Sequence, residues 1–254
     1  MSEQNEILVV IPTYNERENL PRITQALMGI EAVDFLVVDD NSPDGTGELA
    51  VALSEQEPRA HVLNRERKQG LGPAYLAGFR WALERKYRYI VEMDGDLSHD
   101  PKEIVRFRKR IENADLVLGT RYKEGIRVIN WPLPRLLLSL AAAAYVRLVT
   151  GMPFSDPTGG FKMFRAEALK SIDLNRIRSN GYSFQIELTH TLWTRGYRVV
   201  EAPIIFTDRF QGSSKMSKSI VYEAVGIVWR LWLRNRGRRR PIVDPADRDI
   251  DRHA

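Results

Sequence analysis

Five short apolar runs, each closing on polar residues, a turn residue or acids, mark the first half of the chain: ILVVIP from Ile7, FLVVDD from Phe35, HVLN from His61, YIVEMD from Tyr89 and LVLG from Leu116. Their shortness and β-rich composition predict buried strands, and the stretches 16–29, 45–56, 72–86 and 101–112 between them predict helices. Strands in alternation with helices predict an α/β domain whose mostly parallel central sheet is flanked by helices on both faces. No internal repeat is visible.

The distinctive polar clusters fall at the carboxyl ends of these strands: PTYNE after the first, VDDNSPDGT after the second and MDGDLSHD after the fourth. Ligands of such sheets bind at that edge. Two carboxylates one residue apart, Asp94 and Asp96, repel each other there unless a cation lies beside them, and hard divalent ions favour oxygen ligands. The intervening Gly95 permits a tight turn and a close ligand approach. A solvated turn, with an Asp capping the helix after Pro101, is the competing reading of an isolated D-x-D; its place at the ligand edge favours a metal–diphosphate site.

The chain has 254 residues, 43% of them apolar, enough for one large domain with a sizeable core. It has no cysteine, and no leader pattern precedes Ile7, so a cytosolic setting is expected. The formal charge of +5 is local: RLWLRNRGRRR, residues 230–240, holds six arginines and no acid, and the remainder is balanced. This argues against a nucleic-acid binder and for a contact with phosphate groups, against the plainer reading of a solvated tail.

IPTYNERENL, VVDDNSPDGT, GLGPAYLAGF, VEMDGDLSHDP, GTRY, DPTGGFKMFR, GYSFQIEL and DRFQGSSKM occur in the order found in family 2 glycosyltransferases. The set most closely resembles the dolichyl-phosphate (polyprenyl-phosphate) mannose synthases, over residues 6 to about 218. That resemblance implies a GT-A (Rossmann-like) catalytic domain over 1–218; the residues after it, 219–254, read from their own arginines and apolar positions as an amphipathic, basic, membrane-interfacial extension. It implies that Pro12, Tyr14 and Glu16 line the nucleotide pocket while Asp39 and Asp40 face base and ribose. The competing reading of PTYNE is a turn and a helix start with Asn15 as the cap. The implied metal is Mg²⁺ or Mn²⁺ at Asp94 and Asp96, with Ser98 where many members have Gln.

By the same resemblance Arg121, Arg135 and Ser139 meet the acceptor phosphate. Asp156 binds sugar hydroxyls, Gln185 and Glu187 lie near the reacting centre, and Arg209, Ser214 and Lys215 clamp the diphosphate. The implied reaction is transfer of mannose from GDP-mannose to a polyprenyl phosphate with inversion, with Asp96, Arg121, Arg135 and Glu187 as the catalytic set. UDP-glucose or a hydroxyl acceptor is the neighbouring alternative. A non-catalytic nucleotide or lipid-head binding module is the alternative of a different class.

LLLSLAAAAYV, residues 136–146, lies between Arg135 and Arg147 and is too short to cross a bilayer, so it reads as a core helix or an interfacial one. IVYEAVGIVWRLWL, residues 220–233, is likewise short and contains Glu223 and Arg230. Trp229 and Trp232 suit either a membrane interface or packing on the body. Peripheral contact with the cytoplasmic face of a membrane is therefore expected, with room for a separate membrane-anchor subunit. His99, next to the acidic motif, is expected on a surface turn, with an approach to the metal as its alternative, and His61, His190 and His253 have no metal-ligand spacing.

Overall fold

In a computed structural model of the chain, residues 5–208 and 218–234 are described, with side chains only from residue 225 onward in the second stretch. The first apolar run is buried on both faces, which explains why it is apolar throughout. Leu8 and Val10 enter one core, with Phe79 and Phe184, while Ile7, Val9 and Ile11 enter another, with Phe35 and Phe107. The five expected strands are β1 (Ile7–Thr13), β2 (Val33–Asp39), β3 (Ala60–Asn64), β4 (Tyr89–Glu92) and β5 (Leu116–Thr120). Between them lie α1 (Leu20–Met28), α2 (Thr46–Gln56), α3 (Leu71–Glu84) and α4 (Glu103–Ile111).

The second half adds β6 (Val128–Ile129), α5 (Leu133–Thr150), β7 (Lys162–Arg165), α6 (Ala166–Lys170), α7 (Gly181–Thr194), β8 (Val199–Pro203), β9 (Phe206–Thr207) and α8 (Lys218–Arg234). The main sheet runs β3-β2-β1-β4-β7-β5-β8, and β6 pairs with β9 apart from it. Among the described strands only β7 is antiparallel to its neighbours in the main sheet. The chain leaves β1 toward β2 and β3, then returns to β4 on the other side of β1. That reversal opens a crevice beyond the carboxyl ends of β1 and β4, where open α/β sheets bind ligands.

Helix α1 starts at Leu20, so Asn15 does not cap it; Asn15 instead adopts a left-handed conformation, φ 61°, where the chain leaves β1. Asn41 does the same after β2, φ 57°. Asparagine tolerates that region better than most residues.

Helix α5 runs three residues beyond the expected segment at one end and four at the other, and by length and composition its 18 residues are sufficient to cross a membrane. Only Ala143 and Val146 are buried in it, whereas Leu133, Leu137, Leu138 and Leu148 are exposed. Val146 packs with Leu118 and Ile186 of the body and with Ile227, Val228 and Leu231 of α8, so both helices are attached to the domain. Trp229 and Leu233 of α8 remain exposed.

Candidate active site

A cavity of about 280 Å³ occupies the crevice, lined at one end by Tyr14, Asp40 and Lys68 and at the other by Asp94, Gly95 and Asp96. Pro12 and Glu16 also line it. The Lys68 ammonium stands 3.6 Å from the centre of the Tyr14 ring, a cation–π contact at the wall. Asp40 accepts from Arg65 at 2.5 Å and from the backbone N–H groups of Gln69 and Gly70, so a carboxylate at the end of β2 fixes the loop leading into α3.

Each acid at the other end is held by specific donors. Tyr75 donates to Asp94 Oδ1 at 2.9 Å, and burial together with the charges of Asp94 and Glu92 raises the Tyr75 pKa well above normal, so it stays a donor. The Asp94 N–H donates to His99 Nδ1 at 3.2 Å, which requires that nitrogen to carry no proton. Burial pushes the His99 pKa down, in keeping with a neutral ring, and the ring stacks on Phe161 at 4.8 Å. Ser98 donates to Asp96 Oδ1 from its backbone at 3.1 Å and its hydroxyl at 2.5 Å. Leu97, between them, sits at φ 63°, a strained value for leucine at the turn that presents Asp96. A side chain at Gly95 would approach the Pro12 carbonyl to 3.1 Å, so only glycine lets the acidic turn lie on β1 without displacing it.

A cationic cluster lies alongside. Arg121 is buried, forks onto Asp156 at 2.6 and 2.7 Å and donates to Thr158 at 2.9 Å. Arg135, in the first turn of α5, stands 4.2 Å from the Trp131 ring, and Arg121 faces the same ring at 5.4 Å. Arg135 also donates to Asp208 at 2.6 Å, and Ser139 accepts from Tyr122 at 2.7 Å. The segment Phe206–Asp208 joins the two halves of the site: Phe206 packs edge-on to His99 at 5.4 Å, and Thr207 donates to the Ser98 carbonyl at 3.3 Å. Among the described residues, the buried Trp131 Nε1–H has no hydrogen-bond partner.

Residues 8–173 match the family model described as glycosyl transferase family 2. The chain belongs to that family. It is 49% identical over 240 residues to the polyprenol monophosphomannose synthase of Mycolicibacterium smegmatis, covering 93% of this chain and 91% of the relative. It is 47% identical over 225 residues to the undecaprenyl-phosphate mannosyltransferase of Micrococcus luteus, covering 88% and 93%. In fold it is similar to glucosyl-3-phosphoglycerate synthase from Mycobacterium tuberculosis, solved with Mn²⁺, UDP and glucosyl-3-phosphoglycerate: TM-score 0.69, 18% identity, covering 89% and 80% of the two chains. It is also similar to a mannosyltransferase from Pyrobaculum calidifontis solved with GDP-Man and Mn²⁺: TM-score 0.57, 15% identity, covering 84% and 59%. The fold is thus GT-A.

Within this family 2 domain several expected residues stand elsewhere than the resemblance implied. Asp156 is wholly buried and its two oxygens accept from Arg121, so it is the counter-charge of that arginine rather than a group presented to sugar hydroxyls. Burial alone would raise its pKa, but the adjacent guanidinium holds it below the usual carboxylate range. Glu187 accepts from Ser179 at 2.6 Å and faces Arg234 of α8 at 3.7 Å, and it is not among the residues lining the cavity. Asp39 is likewise not among them: it accepts from Thr13 and Ser42 and ties the end of β2 to β1. His99, expected at the surface, is buried. Arg209, Ser214 and Lys215 lie outside the described residues.

Lys68, Tyr75 and Trp131 escaped the reading of the sequence as site residues. Tyr75 stood within the quoted GLGPAYLAGF motif, while nothing in the pattern marks Lys68 or Trp131.

Proposed function

We propose that the protein transfers mannose from GDP-mannose to a polyprenyl phosphate, with inversion at the anomeric carbon. The observation that carries this reading is the acidic floor of the cavity, Asp94 and Asp96, joined through Phe206–Asp208 to a pair of arginines gathered on Trp131. The names of the relatives support the sugar and the lipid acceptor; among the similar folds, the Pyrobaculum mannosyltransferase is one solved with GDP-Man.

The two carboxylates suit Mg²⁺ or Mn²⁺. Among the described residues no group of three or more His, Cys, Asp or Glu gathers to hold a metal, and Asp94 and Asp96 are the pair that would hold the ion. When bound, such an ion offsets the negative charge that builds on the diphosphate as the sugar–phosphate bond breaks. Tyr75 and Ser98 orient the acids that hold it. A phosphate acceptor arrives already ionised and needs no base, consistent with Glu187 facing Arg234; it does need cations beside the donor, and Arg121 and Arg135 provide them.

The exposed leucines of α5, whose first turn carries Arg135, bring the lipid acceptor's membrane to the cationic cluster. This favours a peripheral position on a membrane, with α8 beside α5. The test is incubation with Mn²⁺ or Mg²⁺, labelled GDP-mannose, UDP-glucose and a polyprenyl phosphate, then extraction of the lipid phase. Label carried into lipid from GDP-mannose alone is expected; transfer from UDP-glucose, or to a hydroxyl acceptor only, would overturn the reading.

A further inference from the structure

Beneath the acidic end of the cavity the sheet contains a wholly buried ion pair that the proposed reaction does not use. Glu92 closes β4 and Lys162 opens β7, and the antiparallel register places them directly opposite each other. Both are 0% exposed, with Nζ 3.7 Å from Glu92 Oε2. An ion pair in the middle of a sheet is costly to desolvate, and well-packed apolar residues often replace such pairs with no loss of stability. Lys162 therefore calls for an explanation other than stability.

Its ammonium donates to both oxygens of one residue of α7, to the Gln185 carbonyl at 3.0 Å and to Gln185 Oε1 at 2.5 Å. Lysine has no acceptor, so the amide atom facing it must be the oxygen. The Gln185 NH₂ is thereby turned the opposite way. It is buried and, among the described residues, has no hydrogen-bond partner, which is unfavourable for a donor unless a ligand completes it. The same gap is bordered by an acid: a Cβ at Gly160 would stand 3.4 Å from Gln185 Nε2 and 3.6 Å from Asp94 Oδ2. The cavity runs from Asp40 and Lys68 to the acids at Asp94 and Asp96, and Gly160 and Gln185 are not among the residues lining it. On the donor-binding reading above, a sugar nucleotide with its diphosphate at those acids would carry its sugar on toward Gly160, which lies beside Asp94.

We propose that Lys162 is a positioning residue that fixes the Gln185 amide so that Nε2 donates to a hydroxyl of the transferred sugar, with Glu92 opposite it in the sheet. The inference rests on the donor-binding reading above. It separates recognition of the sugar from recognition of the nucleotide. A site built to hydrogen-bond a hydroxyl discriminates more strongly than an apolar pocket, because its buried donor is otherwise unpaired.

The test compares calorimetric affinities for GDP-mannose and for GDP, each with Mn²⁺, in the full-length protein and in Lys162→Met, Gln185→Met and the double variant Glu92→Leu/Lys162→Met. The double variant removes both charges together and is the one expected to fold if Lys162→Met alone does not. Each variant is expected to lose at least about 10-fold in affinity for GDP-mannose while GDP affinity changes less than about 3-fold. Adding Gln185→Met to the double variant should cost little more, since an unpinned amide no longer serves the sugar. Equal losses for both ligands would mark a general structural role and overturn the proposal, as would a retained preference for GDP-mannose over GDP. A wild-type protein that bound neither ligand would overturn the donor reading, and this inference with it.

Discussion

Arg121 and Asp156 form a buried fork, Nε to Oδ2 at 2.6 Å and Nη2 to Oδ1 at 2.7 Å, on the floor of the cationic cluster. Removing one partner of a buried pair strands the other charge, at a cost of about 3–5 kcal/mol. Asp156→Asn keeps the shape but not the charge. It is expected to lower unfolding stability in denaturant by about that amount or somewhat less, and to weaken acceptor use without altering GDP affinity. If stability and acceptor KM were both unchanged, Asp156 would not be the counter-charge of Arg121.

Arg135 donates to Asp208 at 2.6 Å, and its side chain and that of Asp208 are 23% and 28% exposed, so an incoming phosphate can compete with the carboxylate for the guanidinium. Arg135→Lys replaces a planar fork with a point charge and is expected to reduce turnover by at least ~10-fold, equivalent to ~1.4 kcal/mol in the transition state, and to raise the acceptor KM. Asp208→Asn removes the competitor and should lower that KM. Glu187→Gln should leave turnover nearly intact. A harmless Arg135→Lys beside an inactive Glu187→Gln would mean that the acceptor is a hydroxyl in need of a base.

Asp96→Ala should reduce transfer by at least about 100-fold in a folded protein, because it removes one of the two carboxylates meant for the cation. Ser98→Ala should cost less, about 10-fold, because the hydroxyl orients Asp96 rather than standing alone. Mn²⁺ titration of donor binding separates the two, and an undiminished metal dependence in Asp96→Ala would remove the assignment.

The first half of the domain was legible because its strands are buried on both faces and its ligand loops gather turn formers and acids at one sheet edge. Strand β7 was not. It has four residues and carries a lysine at full burial, which speaks against a central strand until Glu92 is known to stand opposite. The role of Asp156 was lost for a related reason: a motif gives an acid's position but not whether an arginine from another part of the chain has taken it, as Arg121 has. Helix α5 was shortened to the residues between Arg135 and Arg147, although both arginines lie within it.

His190, buried on α7, has its pKa pushed down to about 4 by burial and by the charge of Arg234. The unfolded chain takes up this proton near pH 6.5, and the folded protein does so only near the lowered value. Between those limits the unfolded state binds more protons, so stability falls as the pH drops, by on the order of 3 kcal/mol in all. His190→Leu should flatten that part of the denaturation profile. An unchanged slope between pH 6.5 and 4.5 would show that His190 titrates normally.

Leu137 and Leu148 of α5 are 56% and 85% exposed, although the helix is apolar enough to cross a bilayer. A helix of this length extends about 27 Å, but Val146 is packed into the body against Leu118 and Ile186, so the helix stays with the domain and meets lipid along one side. Each leucine fully removed from water contributes about 1.5–3 kcal/mol, and partial burial at an interface contributes a share of that. Leu137→Glu/Leu148→Glu is therefore expected to reduce flotation with anionic vesicles by at least about 10-fold. Transfer to a short, water-soluble polyprenyl phosphate should persist, because neither leucine belongs to the cavity or the arginine cluster. If vesicle binding survived the double substitution, the membrane contact would lie elsewhere, and the exposed apolar side of α5 would need another occupant.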